Sequence, residues 1–476
     1  MRMGQTIYIK DSFRFILFLS IIVFIVYFIF MSFARHDNFY SRRLDLGNMD
    51  QTVWNVLHGN GFMLTSASDT LQISRLASHA DFLLIFLAPL YLLWSSPKML
   101  LIVQTIILGL GALPVYWIAQ NIIKSKKIAL LFSLAYLLYP PLERVALHDF
   151  HSVVLSTTFL LFAYWYMQKN RYYLFALFAF LAAIGKEDVW LVTGLMGCWI
   201  LATKKNKFVG VTTALISFVM FYVLFWKIIP AASPTKQHFA LAYLSEFGGD
   251  LNTMLKNIFT NPFAIIRDLF SADRFWYFFQ LFLPLGFLPL FAPLTLVFAA
   301  PTILINTLSN NTLMRMIDYQ YNSLIIPFIF IAAMQGFTVL RSVLSIKRIS
   351  LWFTCMTIAS VFTWGELPIG LTSRFLFFLT PQPEKETMKQ VEKSIGQQYT
   401  VSATNNIGAH FSERQFLYNF PVAYDVVDFT IVELGDPYAW PSGDEQKKSV
   451  DSLLNNPNYT LIAQKDRFYA FKKTIQ

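Results

Sequence analysis

Long apolar runs separated by short polar connections fill the first 380 residues, and near Pro381 the pattern changes to short alternating runs. The first run, from about Phe15 to Phe33, follows Arg2, Lys10 and Arg14. It outlasts the roughly 7–15 apolar residues of a secretory signal, so it reads as an uncleaved span with a cytoplasmic N-terminus. Further runs lie near 99–121, 128–141, 152–168, 172–184, 189–203, 208–229, 275–291, 293–308, 322–340 and 350–364. Several fall short of about 20 residues, which implies spans whose ends take in polar neighbours. Basic clusters set the alternation. Lys124, Lys126 and Lys127, then Lys169 and Arg171, then Lys204, Lys205 and Lys207, then Arg341, Lys347 and Arg348 mark alternate connections as cytoplasmic. The scheme closes on about eleven crossings if the stretch from Phe82 to Trp94, too short to span and interrupted by Pro89, lies in or dips into the outer interface.

The last stretch reads as a separate body. QYTVSAT and YDVVDFTIVEL alternate as strands, Ser442 to Leu454 as a helix, and YTLIAQ with DRFYAFKK as a hairpin turning at Lys465 and Asp466. The expected architecture is an all-α polytopic membrane bundle over residues 1–380, with interfacial helices in an outer loop at 34–98. A small α/β domain over 381–476 follows, outside the cytoplasm.

Composition agrees and adds a sign. Of 476 residues, 55% are hydrophobic, 17% aromatic and 14% charged, which excludes a soluble enzyme, a disordered chain and a disulfide scaffold. The net charge of +10 reads as orientation and anionic lipid headgroups before nucleic acid. Cys198 and Cys355 both sit in apolar stretches and read as core thiols.

No expected span carries Asp, Glu, Lys or Arg near its centre, which speaks against an ion or proton path. Acids and histidines collect in the outer connections instead. In RRLDLGNMDQTVW, a turn at Gly47 and Asn48 would let Asp45 and Asp50 converge to hold a divalent cation or supply a general base. The plainer alternative has Asp50 capping a helix that starts at Gln51 and Asp45 paired with Arg42 or Arg43. HDFH places His148 and His151 on one face, if helical, beside Asp149. With Asp50 they are the candidate metal ligands, against interfacial histidines that merely hydrogen-bond. His79 near Asp81 reads the same two ways. In GKEDVW, Lys186 could meet a phosphate while Glu187 or Asp188 caps the next helix, or the three form a solvated charge triplet. Arg315, near Tyr319, suits a lipid-linked phosphate or a salt bridge to Asp318. Glu143 is a further outer acid. Prolines 284, 289, 293 and 301 break the segment from Phe275 to Leu308 and suggest a groove with an apolar wall.

Five motifs in order carry a resemblance: LDLGNMDQTVW, SHADFLLIFLAPLYLLW, HDFHSVVLSTTFLLFAYW, DYQYNSLIIPFIFIAAMQG and VSATNNIGAHFSERQFLYNFP. Over about residues 13–435 the chain resembles the membrane family catalogued as domain of unknown function 2079. More distantly it is similar to the GT-C superfamily of glycosyltransferases, which take a sugar from a polyprenyl-phosphate carrier on the outer side of the membrane. That resemblance implies an acid in the first outer loop, matched by Asp45 or Asp50, and a second in the next, matched by Asp149 or Glu143. It also implies an interfacial helix at 82–94. The histidine pair beside Asp149 is no general feature of that superfamily.

The expectation is an inverting transfer from a polyprenyl-phosphate sugar donor to an acceptor outside the cytoplasm. Asp45, Asp50 and Asp149 are the catalytic candidates. His79, Lys186, Glu187, Arg315 and Tyr319 bind substrate, and a divalent metal such as Mg or Mn is an open cofactor. The rivals are a transporter or lipid flippase, and a non-catalytic envelope protein whose outer acids would scatter rather than converge.

Overall fold

The computed structural model describes residues 4–203, 206–247 and 271–474, together with Thr253, Lys256 and Thr260. Arg2 and the cytoplasmic cluster members Lys204 and Lys205 lie outside them. The described chain is mostly helical, with a small C-terminal sheet domain. Among the described residues, three helices are long and apolar enough to cross a membrane alone: Ser12–Asp37, Pro97–Ile123 and Lys207–Ala232. Lys126–Leu137 and Pro140–Leu147 qualify together but bend by 42° at Tyr139, where the two following prolines remove amide donors from a continuing helix. Several other expected spans are shorter apolar helices, among them Tyr172–Ala183, Val189–Thr203 and Ile326–Leu340.

Between 275 and 308 the prolines act as expected. Two helices, Ala272–Phe282 and Ala300–Leu308, flank three short 3-10 stretches, each with a proline in its first two positions. Phe82–Trp94 becomes a short helix, Leu83–Leu87, continued by a 3-10 turn. It buries Leu84, Leu87 and Tyr91 while exposing Phe86, Leu92 and Leu93, a two-sided segment unlike a span. A two-stranded hairpin absent from the sequence reading, β1 (Met63–Thr65) with β2 (Gln72–Ser74), precedes it. Both cysteines are exposed on outward faces of their helices, not in the core as the apolar context suggested. An apolar run in a membrane protein has a lipid-facing side as well as a packed one.

The C-terminal sheet has the order β4-β3-β5-β7-β6, with β3 (Val401–Ala403) parallel to β4 (Leu417–Asn419) and to β5 (Phe429–Glu433). The hairpin β6 (Tyr459–Lys465) and β7 (Phe468–Lys473) turns at Asp466, whose φ of 48° suits a tight turn. Alternate residues face opposite layers. Ile431 packs with Met388 and Val391 of the helix Lys385–Ser394, and Val432 packs with Val450 and Leu453 of the helix Gly443–Leu454.

The sheet domain is seated on the first loop. Arg43 donates its amide N–H to the Asn405 carbonyl, and its guanidinium donates to the carbonyls of Thr65, Ser66 and Leu417. A Cβ on Gly47 would lie 3.3 Å from the Ala409 Cα, and one on Gly408 would lie 2.7 Å from the Arg43 Cβ. Both glycines therefore permit a close approach of the two backbones.

Candidate functional site

One cavity of about 210 Å³ collects side chains from five separate connections. Its polar lining includes Arg75, His79, Asp81, His151, Ser152, Lys186, Glu187, Asp188, His238 and Gln320, and Phe221, Phe225, Phe239, Tyr243 and Leu324 supply an apolar wall. Four residues predicted to bind substrate or metal, His79, His151, Lys186 and Glu187, thus share one space.

Glu187 is the hub on one side. Its Oε1 lies 2.9 Å from His79 Nδ1 and 3.3 Å from His238 Nε2, and its Oε2 accepts the Ala80 amide N–H. Burial alone would raise its pKa, but His79, His238 and Lys186 outweigh that and hold it well below the usual carboxylate range. Burial lowers the His79 pKa in spite of Glu187. Lys186 pairs with Asp188 at 3.2 Å, and this partner with Glu187 raises its pKa against the cost of burial. Asp81 is held by Arg75 through three hydrogen bonds of 2.7–3.1 Å. His238 was not among the candidates, although sorting residues by side puts the connection after 208–229 on the same face as the other histidines. Ser152 Oγ, Asp188 Oδ1 and Gln320 Oε1 line this space as buried atoms without a hydrogen-bond partner.

At the rim stands a second group. Asp45 lies in a π-helical turn, Arg43–Gly47, which runs straight into the helix Asn48–Leu57. Gly47 is right-handed helical at φ −63°, so the expected reversal at Gly47 and Asn48 is not made and Asp45 and Asp50 do not converge. Asp45 Oδ1 lies 3.4 Å from His151 Nε2. Arg42 instead pairs with Asp436 at 3.2 Å, and Arg43 serves backbone carbonyls, so neither neutralises Asp45. His148 follows the helix Pro140–Leu147 and His151 precedes the helix Ser152–Gln168, both in extended backbone. Their rings stack 5.4 Å apart at 9° across a helix break rather than along a helix face, and Tyr319 packs edge-on against His148 at 5.2 Å. Burial, with the neighbouring His151, lowers the His148 pKa to about 4.

The other expected residues go elsewhere. Asp50 is fully buried, 2.5 Å from the Tyr91 hydroxyl and 2.7 Å from that of Ser412. Its carboxyl is pushed well above the usual range by burial and by Glu413. This corrects its assignment as a metal ligand: with both oxygens engaged, it has no part in the group formed by Asp45, His148 and His151. Asp149 is fully buried, ion-paired with Arg35 and accepting the Arg42 amide N–H at 3.0 Å. Arg315 pairs with Asp273 at 2.7 Å and donates to the Ser309 carbonyl; Asp318 belongs instead to Arg144 and Arg374. Glu143 accepts the Glu366 amide N–H at 2.8 Å.

These geometries sit on a recognisable chain. A family model described as a predicted membrane protein, DUF2079, matches residues 35–468. The chain belongs to the DUF2079 family. No curated protein matches this DUF2079 member. Among solved structures, it is similar to ArnT from Cupriavidus metallidurans bound to undecaprenyl phosphate, with a TM-score of 0.51 and 10% identity over 94% of this chain and 97% of that one. At this identity the likeness shows the fold alone. The DUF2079 chain is thus a membrane protein with an ArnT-like fold.

Proposed function

We propose that this protein is a membrane glycosyltransferase that moves a sugar from a polyprenyl-phosphate donor to an acceptor on the non-cytoplasmic face. The observation that carries the reading is the cavity, in which loop acids, histidines and Lys186 meet an aromatic wall within an ArnT-like fold. The ArnT structure holds undecaprenyl phosphate, a lipid of the proposed donor's class. An aromatic wall suits a prenyl chain beside its phosphate, and Lys186, a cation of the cavity lining, would meet that phosphate. The sheet domain then lies outside the cytoplasm, as the charge asymmetry of the connections implies.

Among the three acids, the base falls to Asp45. Asp149 is committed to Arg35, and Asp50 is enclosed by Tyr91 and Ser412, whereas the Asp45 side chain keeps 31% of its surface exposed. Asp45 would accept the acceptor hydroxyl's proton as that oxygen attacks the anomeric carbon. The C–O bond to phosphate breaks on the opposite side, which inverts the centre. Purified protein given a panel of polyprenyl-phosphate sugars should consume one of them. Asp45→Asn should lower turnover by about 10²–10⁴-fold, the usual yield of general base catalysis. Full turnover in Asp45→Asn would remove the base from the mechanism, and no consumption of any donor by the wild type would remove the reaction.

A further inference from the structure

We propose that Asp45, His148 and His151 bind a transition-metal dication of the Zn²⁺ or Mn²⁺ class at the rim of the cavity. One ligand atom from each of the three lies within 4.8 Å of the others. The arrangement of lone pairs makes this more than proximity. His151 Nδ1 lies 2.9 Å from the Asp149 carbonyl oxygen, which can only accept, so Nδ1 carries the ring hydrogen. The other nitrogen, Nε2, then turns its lone pair towards the Asp45 carboxylate at 3.4 Å. Two acceptors face each other, an arrangement that asks for a cation between them.

A proton could serve, but the spacing favours something larger. Charge-assisted N–H···O bonds close to about 2.7–2.9 Å. Two ligands each about 2.0–2.2 Å from a tetrahedral zinc stand about 3.3–3.6 Å apart, which brackets the separation found here. The surroundings resemble those of held ligands. Asp149, which anchors His151 through its carbonyl, is itself fixed by Arg35 and by the Arg42 amide, and Tyr319 braces the His148 ring.

The donor set selects the metal. Two imidazoles and a carboxylate suit Zn²⁺, Mn²⁺, Fe²⁺ or Co²⁺, whereas Mg²⁺ prefers an all-oxygen shell and holds its waters. Three protein ligands leave a position open to water or substrate. His151 also lines the cavity, so that position is contiguous with the candidate substrate space. The metal would share Asp45 with the proposed transfer reaction, but binding does not depend on that reaction and its test needs no turnover.

Full-length protein in detergent, stripped with a chelator and titrated with Co²⁺, should take up one equivalent and develop the visible absorption of a four- or five-coordinate site. Zn²⁺ should displace it and Mg²⁺ should not. Asp45→Asn, His148→Gln and His151→Gln should each weaken binding by more than about 10-fold, since even losses from the outer shell cost 10–100-fold. Asp318→Asn should leave it unchanged. No Co²⁺ uptake by the wild type would overturn the site. So would an unaltered spectrum in the His148→Gln/His151→Gln double variant. The wild-type titration decides on its own, so a variant that fails to fold does not shelter the proposal.

Discussion

Asp50 and Asp149 are both fully buried, and their partners differ in kind. Asp149 meets the Arg35 guanidinium, and Asp50 meets two hydroxyls with no cation. Removing one side of a buried ion pair strands the other charge, so Arg35→Met should cost about 3–5 kcal/mol. An amide in place of the Asp50 carboxyl keeps partners for Tyr91 and Ser412, and Asp50→Asn should stay within about 1 kcal/mol of the wild type. Asp50→Ala would strand the Tyr91 hydroxyl, since that of Ser412 keeps the Ala409 carbonyl, and lose about 1–3 kcal/mol. Thermal unfolding in detergent ranks the three. An Asp50→Asn variant as damaged as Arg35→Met would mean that the carboxyl is charged. The sequence made these acids visible as a cluster but not their partners, because Arg35 ends the first long helix and Ser412 lies more than 350 positions from Asp50. Local pairing rules misled in the same way. Arg42 and Arg43 are near Asp45 in the chain, and Asp318 is near Arg315, yet all four are claimed by distant groups.

Elements were legible where their signal was local. The proline breaks, the two-sided stretch at 82–94 and the C-terminal hairpin all follow from spacing within a few residues. The helix Lys385–Ser394 escaped notice, although Met388 and Val391 recur on its buried face and Ile395 follows at its end. Its remaining residues are polar, and its apolar face has meaning only against the sheet. The segment Asn405–Arg414 was legible as a motif but not as a seat for the first loop. There the Leu44 amide donates to the Asn405 side chain, and Gln51 donates to the carbonyls of Arg414 and Gln415. Arg43 adds a fully buried tie with no carboxylate partner. Arg43→Met should loosen the sheet domain from the first loop and speed limited proteolysis near residues 381–400 while the bundle's helix content holds. Unchanged cleavage kinetics would show that the remaining contacts suffice.

Across the whole molecule, loops far apart in sequence meet at the sheet-bearing end, which is why separate candidates became one cavity and one rim. The same end carries a pH-sensitive junction. Glu433, on β5, is 2% exposed, and Arg467 lies 3.6 Å from both Glu433 and Glu384. Burial, then Glu384, raises the Glu433 pKa from 4.5 to about 7, and Arg467 only partly opposes it. A folded-state pKa above the unfolded value means that the folded protein binds the extra proton. Stability contributed by this group is therefore present below about pH 4.5 and is lost as pH rises to about 7. The loss from this one group is bounded at about 3 kcal/mol. The sheet domain should thus unfold at lower temperature at pH 8 than at pH 5, and Glu433→Gln should flatten that dependence. Arg467→Ala, which removes the opposing charge, should steepen it and extend it to higher pH. If Glu433→Gln kept the wild-type slope, the sensitivity would reside elsewhere. If the slope ran the other way in the wild type, Glu433 would be paired more fully than its geometry with Arg467 and Asn406 implies.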